Sequence, residues 1–283
     1  MHTLVIDTSF GSTVGIVGHA PVVEHDSRTH VERLRNDIAD ACSQAGVAPH
    51  EVERIVVGVG PAPFTGLRAG IVTAKAIAYA TGATLLGQDD LTPNAVLMHA
   101  VHRHDARFAD RFDYAAVSVV DDDAPLVALT LSVNDARRKQ LYFGLYADLD
   151  ADDGDPTTLI DMDIDAPDHI AQRVRAAVDD YRVAHPGVDV VIDVIGHGAC
   201  KYASAWADLG HVETVSDLAV LDMGAEGLRL FAQVAQSHAP ADESAGAVEP
   251  LYLRRPDVSV PNPLKHVLSH DPAHKTDEGT AQA

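Results

Sequence analysis

Two stretches of the chain carry residue types and spacings suited to chemistry. The loop from Gly58 to Gly66 (GVGPAPFTG) follows a β-branched run and precedes a helical pattern. In that position backbone N–H groups and the helix dipole can cradle a phosphate. Leu67-Arg68 follows Gly66 in place of Lys-Ser/Thr, so the loop is not a Walker A loop, and the dinucleotide spacing is missing too. A tight turn with Thr65 as N-cap accounts for the same residues, and both readings stay open. Asp7-Thr8-Ser9 closes the first apolar run, where it can hold a metal–phosphate complex or cap a turn. Asp7, Thr8, Ser9, Gly60 and Thr65 together are the candidate residual phosphate-binding set.

Other clusters fail on spacing. His99, His102 and His104 are three and two residues apart, whereas a metal-binding helix pairs histidines at i and i+4. His266, His270 and His274 keep that spacing, but Asp271-Pro272 interrupts any helix. Both groups are expected to be solvated polar residues, with no metal. The run from Asp148 to Asp153 starts like a calcium loop, but Asp153 replaces the turn glycine and Leu159 the bidentate glutamate. No G-x-S-x-G elbow occurs and neither cysteine has a catalytic neighbourhood, so no catalytic residue is expected.

The elements that must position these residues alternate between strand and helix. LVIDTS (from Leu4), STVGIVG (from Ser12) and PVVEHDS (from Pro21) read as an antiparallel meander. Thr29 and Glu32 form a capping box for a helix whose face carries Val31, Leu34, Ile38, Ala41 and Ala45, stopped by Gly46. RIVVGVG (from Arg54) is a strand, a helix spans about Gly66 to Thr81, and ATLLG (from Ala83) is a buried strand. A further helix spans about Thr92 to Arg103. DYAAVSVVD (from Asp113), PLVALTLSV (from Pro125) and RKQLYFGLY (from Arg138) read as three more strands. After an Asp-rich loop come a helix from about Pro167 to Val183, the strand VDVVIDVIG, the turn GHGACKY and a helix from about Leu218 to Ser237. The order of three strands and then alternating helices and strands occurs twice, which points to two similar α/β halves. The helix from Gly66 to Thr81 is apolar nearly all round, with small residues at Gly66, Ala69, Gly70, Thr73 and Ala74. Such a helix is buried on both sides, within the chain or against a partner helix that small residues admit closely.

Composition bounds the rest. The 283 residues hold 21 Lys+Arg against 42 Asp+Glu, a net charge of −21, with 46% hydrophobic residues. That length buries a core in one large domain or two ordinary ones. The charge excludes phosphate-backbone or anionic-membrane binding by this chain alone, since both need concentrated Lys and Arg. Two cysteines without CxxC spacing suit a reducing compartment. The N-terminus lacks a basic n-region and an apolar h-region, and no stretch reads as a membrane span. A cytoplasmic protein without membrane contact is expected. After Pro256, four prolines and three histidines in 28 residues predict a disordered tail.

LVIDTS, GVGPAPFTGLRAGIVTAKAIA (from Gly58), NDARRKQLYFGLY (from Asn134) and EPLYLR (from Glu249) stand in an order and spacing that resembles TsaB, also called YeaZ. THVERL and GHGAC fit the same pattern. The resemblance covers residues 1 to about 255. It implies a two-lobed, duplicated actin/sugar-kinase/Hsp70-like (ASKHA) α/β fold, with an N-terminal lobe over 1–112, a C-terminal lobe over 113–255 and a tail over 256–283. It also implies a non-catalytic subunit that pairs with the TsaD transferase and, with the ATPase TsaE, supports threonylcarbamoyl transfer to the adenosine beside the anticodon of ANN-decoding tRNAs. The chain then meets tRNA only through the complex; a homodimer of the isolated chain through the same helices, without TsaD, stands as a further alternative. The resemblance places ATP, Mg2+ and a catalytic metal on the partner subunits, and no cofactor on this one. It places the partner interface on the first two long helices, at Val31, Leu34, Ile38, Gly66, Gly70, Thr73, Ala74 and Ile77. Ala62 and Pro63 replace the Gly-Ser pair usual in the family loop, and Pro63 removes a backbone donor from any phosphate cradle. The alternative is an ASKHA-fold enzyme in its own right, a small-molecule kinase or a glycoprotease-like metallopeptidase.

Overall fold

The computed structural model describes residues 1–26, 30–120, 126–149, 155–239 and 248–254. Thr29 of the expected capping box, most of the Asp-rich loop and the tail lie outside the described residues. Met1–Leu253 forms one compact unit, and Arg254 begins a separate one.

Two five-stranded sheets repeat one topology. In the first, β1 (His2–Asp7), β2 (Ser12–Ile16) and β3 (Val22–Glu24) pair antiparallel, while β4 (Val52–Gly60) and β5 (Thr84–Asp89) run parallel to β1, giving the order β3-β2-β1-β4-β5. In the second, β6 (Leu126–Asp135), β7 (Leu141–Leu149) and β8 (Pro156–Asp165) pair antiparallel. β9 (Asp189–Ile195) and β10 (Val212–Ser216) then lie parallel beyond β6, giving β10-β9-β6-β7-β8. Strand for strand the second sheet reproduces the first. The chain is a duplicated two-lobed α/β fold of the ASKHA kind.

The second set of three strands is shifted from its sequence expectation. Residues 113–120 form no strand: the Tyr114 hydroxyl donates to the Asp105 carbonyl, and the Val120 amide to the His102 carbonyl, at 2.5 and 3.1 Å. β6 has β7 and β9 on its two sides, so that segment does not pair beside it. The third strand is β8 instead. It lies at the sheet edge with Asp161, Asp163 and Asp165 at alternate positions, so it lacks the apolar run that marks a central strand.

α1 (His30–Ala45) and α2 (Phe64–Thr81) cover one face of the first sheet. Leu4, Ile6, Ile55 and Val57 meet Leu34, Ile38, Leu67, Ile71 and Ala74 there. α4 (Pro167–Ala184) and the short α5 (Ala203–Trp206) cover the second sheet through Ile170, Val174, Val178 and Trp206. The remaining two helices join the lobes. α3 (Thr92–His102) leaves the first sheet and packs on β6 and β7, while α6 (Gly224–Ser237) leaves the second half and packs on β5 of the first. Val5, Val56 and Leu86 of the first sheet therefore share one core with Leu97, Met98, Val101, Leu228 and Phe231. Burying β1 and β4 on both faces is what their unbroken apolar runs require. α2 ends at Gly82, in the left-handed conformation (φ 77°) with its N–H on the Ala78 carbonyl, as the sequence predicts.

Candidate functional site

The carboxyl ends of β1 and β5 and the start of α3 meet the ends of β6 and β9 at the junction of the lobes. Asp7, Ser9, Asp90, Asn94, Asn134, His197 and Asp222 line this cleft. Asp7 accepts the Ser9 hydroxyl at 2.8 Å and the Ser9 amide at 3.2 Å, an Asx turn that closes β1. Beside it, both oxygens of Asp90 are enclosed and receive no donor. Gly58 forms the floor: a Cβ there would stand 2.1 Å from Asp7 Oδ1 and 3.2 Å from Asp90 Oδ1. Only glycine lets the two acids approach over β4. Burial pushes the Asp7 carboxyl up despite the Ser9 hydrogen bonds, and burial next to Asp7 pushes Asp90 well up. Like charges this close in an enclosed site oppose each other's ionisation, and Asp90 carries the larger rise. Across the cleft, His197 Nε2 lies 3.1 Å from Asp222 Oδ2, and its ring stacks on Phe10 at 3.8 Å.

The sign of the Asp90 contribution follows from its raised carboxyl. The folded chain binds this proton more tightly than the unfolded chain, so stability is lost as pH rises from the ordinary carboxylate range through the folded value. Asp90→Asn is expected to stabilise the protein at pH 7 by about 1–2 kcal/mol, and by much less near pH 4. Urea unfolding at the two pH values measures this, and an equal gain at both would contradict the raised Asp90 carboxyl.

Space in the cleft is small. The cavity between the acids and His197 measures about 30 Å3. That admits a few waters, whereas small-molecule sites take roughly 300 Å3 or more. A nucleotide does not fit there in this conformation. A wider groove of about 410 Å3 lies on the other side of Ser9, lined by Thr8, Ser9, Thr65, Gly66, Glu32 and Arg137. The candidate phosphate set is thus divided. Thr8, Ser9 and Thr65 share the groove, Asp7 turns into the cleft, and Gly60 is enclosed near the Leu251 carbonyl and the Leu67 side chain. Thr65 is not an N-cap: α2 begins one residue earlier behind Pro63, and the Thr8 hydroxyl is spent on the Gly66 carbonyl at 2.9 Å.

The helix positions expected at an interface divide in the same way. Leu34, Ile38, Gly66, Gly70 and Ala74 are buried in the chain's own core, and Val31, Thr73 and Ile77 are half-buried. The small side of α2 faces inward: a Cβ on Gly70 would lie 2.3 Å from Thr8 Oγ1. The outward stripe consists of Phe64, Arg68, Val72 and Tyr79, with Val72 64% and Tyr79 95% exposed. The segment 248–253 runs beside this stripe. Its Tyr252 stacks on Phe64, the Tyr252 hydroxyl accepts Arg68 Nε at 2.7 Å, and Glu249 pairs with Lys75 at 3.1 Å.

One histidine is placed quite differently from its expectation as a solvated residue. His102 is fully buried, with Nε2 2.6 Å from Asp193 Oδ2 and Nδ1 2.8 Å from the Ser118 carbonyl. His104 is half-buried and stacks on Tyr114. α3 carries His102 into the second sheet, a partner that helical spacing alone does not reveal. His197, Asp222 and Asp90 also escaped the sequence reading, because each gains meaning only from the strand ends around it.

The comparisons agree with this geometry. YeaZ from Pseudomonas aeruginosa superposes with a TM-score of 0.57 at 22% identity, over 89% of this chain and 99% of that one. The chain has the YeaZ fold. A second Pseudomonas aeruginosa structure, of an uncharacterized protein with similarity to peptidase YEAZ, matches with the same TM-score at 23% identity and the same coverage of both chains. Residues 16–103 match the family described as TsaD, tRNA N6-adenosine threonylcarbamoyltransferase. A transferase of that name from a Ruegeria species is 34% identical over 31% of this chain and 24% of its own length. An uncharacterized protein of Mycobacterium leprae is 36% identical, covering 51% of this chain and 35% of that protein. One from Mycobacterium tuberculosis is 32% identical, covering 51% and 59%. The matched stretch thus spans about a third to three fifths of these two mycobacterial relatives. No helix among the described residues is long and apolar enough to cross a membrane.

Proposed function

We propose that this chain is the TsaB-type, non-catalytic subunit of a tRNA threonylcarbamoyladenosine transferase complex, and that it pairs through α1 and α2 with a TsaD-type transferase. The observation that carries this reading is the outward stripe of α2. An 18-residue helix whose small face is spent on its own core leaves Val72 and Tyr79 in water and Phe64 half-exposed beside Tyr252 and Arg68. Exposed apolar and aromatic side chains along one face of a rigid helix are a surface for a partner. The nearly filled cleft supports the same reading, since an interlobe space of about 30 Å3 leaves the chemistry to another subunit. The YeaZ fold and the match of residues 16–103 to the transferase family agree with it.

In this reading the transferase and a TsaE-type ATPase supply ATP, Mg2+ and the catalytic metal, and tRNA is held by the complex, in keeping with the −21 charge of this chain. The test is threonylcarbamoyl transfer to an ANN-decoding tRNA. This chain alone is expected to be inactive and to raise the cognate TsaD-type transferase's activity at least about tenfold. Equal activity of the transferase without it would refute the proposal.

A second reading, an enzyme of the same fold acting alone, draws on the Asp7–Asp90 pair facing His197 and Asp222. It requires the cleft to open. ATP binding by the isolated chain, lost in Asp7→Ala, would favour it over the subunit reading.

A further inference from the structure

The C-terminal end of α3 meets β9 and β10 at His102, Asp193 and Glu213, away from the interlobe acids and from the outward face of α2. His102 and Asp193 are fully buried, and the Glu213 side chain is 10% exposed. One ligand atom from each, an imidazole nitrogen and two carboxylate oxygens, lies within 4.8 Å of the others.

Two features of this cluster ask for a cation. Asp193 Oδ1 and Glu213 Oε2 are both enclosed without a hydrogen-bond partner. Charge is also out of balance, since one imidazole faces two buried carboxylates. A proton between Nε2 and Asp193 Oδ2, at 2.6 Å, puts one positive charge against two carboxylates; it leaves Asp193 Oδ1 without a donor and Glu213 Oε2 with only the 3.7 Å contact to Nδ1. An uncompensated buried carboxylate is costly. A divalent cation with a neutral imidazole cancels both charges and gives each oxygen a partner.

The surroundings are arranged as those of a metal ligand set. His102 Nδ1 donates to the Ser118 carbonyl at 2.8 Å and lies 3.7 Å from Glu213 Oε2, which fixes the ring between the two carboxylates and turns Nε2 to Asp193. The Ser118 amide, at 3.1 Å, and its hydroxyl both donate to Glu213 Oε1, which holds that carboxylate and leaves Oε2 open. We propose that His102, Asp193 and Glu213 form a structural divalent-cation site that ties α3 to the second sheet. One imidazole and two carboxylates suit a borderline ion such as Zn2+. Ligands at ordinary zinc distances stand roughly 3 Å or more apart, so Nε2 and Oδ2 part slightly when the ion enters. The site is independent of the transferase reading.

The test uses the full-length chain, stripped with EDTA and dialysed, with ZnCl2 as the probe. One equivalent of Zn2+ is expected by equilibrium dialysis, with a rise in Tm of about 5 °C at saturation. Co2+ in its place is expected to give a visible absorption band of a nitrogen–oxygen site. Glu213→Gln alters the least buried ligand and keeps the fold, and is expected to weaken Zn2+ binding at least tenfold. His102→Gln is expected to abolish the band. Absence of stoichiometric zinc would overturn the site and leave a proton as its only occupant. Binding unchanged in Glu213→Gln would place the ion on other histidines and overturn it equally.

Discussion

Val72→Asp is expected to weaken pairing with a TsaD-type transferase by at least about 100-fold while leaving the chain's own Tm within about 2 °C. Val72 is 64% exposed in the middle of α2, between Phe64 and Arg68 on one side and Tyr79, 95% exposed, on the other. In the free chain an aspartate there stays in water near Arg68 and Lys75, and substitutions at such positions usually cost within ~0.5 kcal/mol. In a docked helix pair the same carboxylate loses its water without a fixed partner, a cost of several kcal/mol. Isothermal titration against the transferase reads the first quantity and thermal unfolding the second. Tyr79→Ala is expected to act in the same direction by about tenfold, as loss of an aromatic anchor does. Pairing unchanged in both variants would remove α2 from the interface. Gly70→Leu is no test of this face, because its side chain would collide with Thr8 inside the chain.

Gly196→Ala is expected to destabilise the protein by more than ~3 kcal/mol and to lower Tm by roughly 10 °C. Gly196 follows β9 with φ 114°, a conformation closed to residues with a side chain, and a Cβ would stand 2.1 Å from the Val133 carbonyl oxygen. The obstacle is backbone of β6, the strand beside β9, so no rotamer relieves it. Its amide also donates to Ser216, and its carbonyl accepts Ala199, so any shift opens the turn that aims His197 at Asp222. Gly18→Ala serves as the comparison. There φ is 95° with nothing within 4 Å, so conformational strain acts alone and about 1 kcal/mol is expected. Equal losses in the two variants, measured by denaturant unfolding, would show that the contact with Val133 carries no weight.

The duplicated order of elements was legible because both signals it rests on are local. β1, β4 and β9 are β-branched runs, and α2 has its glycine stop. β8 was not legible, since an edge strand half in water carries aspartates where a central strand carries valines. Residues 113–120 misled for the opposite reason, being apolar enough for a strand while both sides of β6 were already paired. The outward direction of α2 was also hidden. Apolar and small residues occur all round it, and only contact with Thr8 decides that the glycine side turns inward.

By itself the sequence determined the α/β class, the repeat of strand order, the loop before α2 and the net charge of −21. These are properties of neighbours along the chain, set by backbone propensity, side-chain period and net charge. Tertiary structure alone decided which distant residues meet. It exchanged α3 and α6 between the lobes, so that His102 ended among carboxylates of the second sheet and Asp90 beside Asp7. Such meetings depend on how parallel strands are ordered and which helix covers which face, and no periodicity within one segment encodes them.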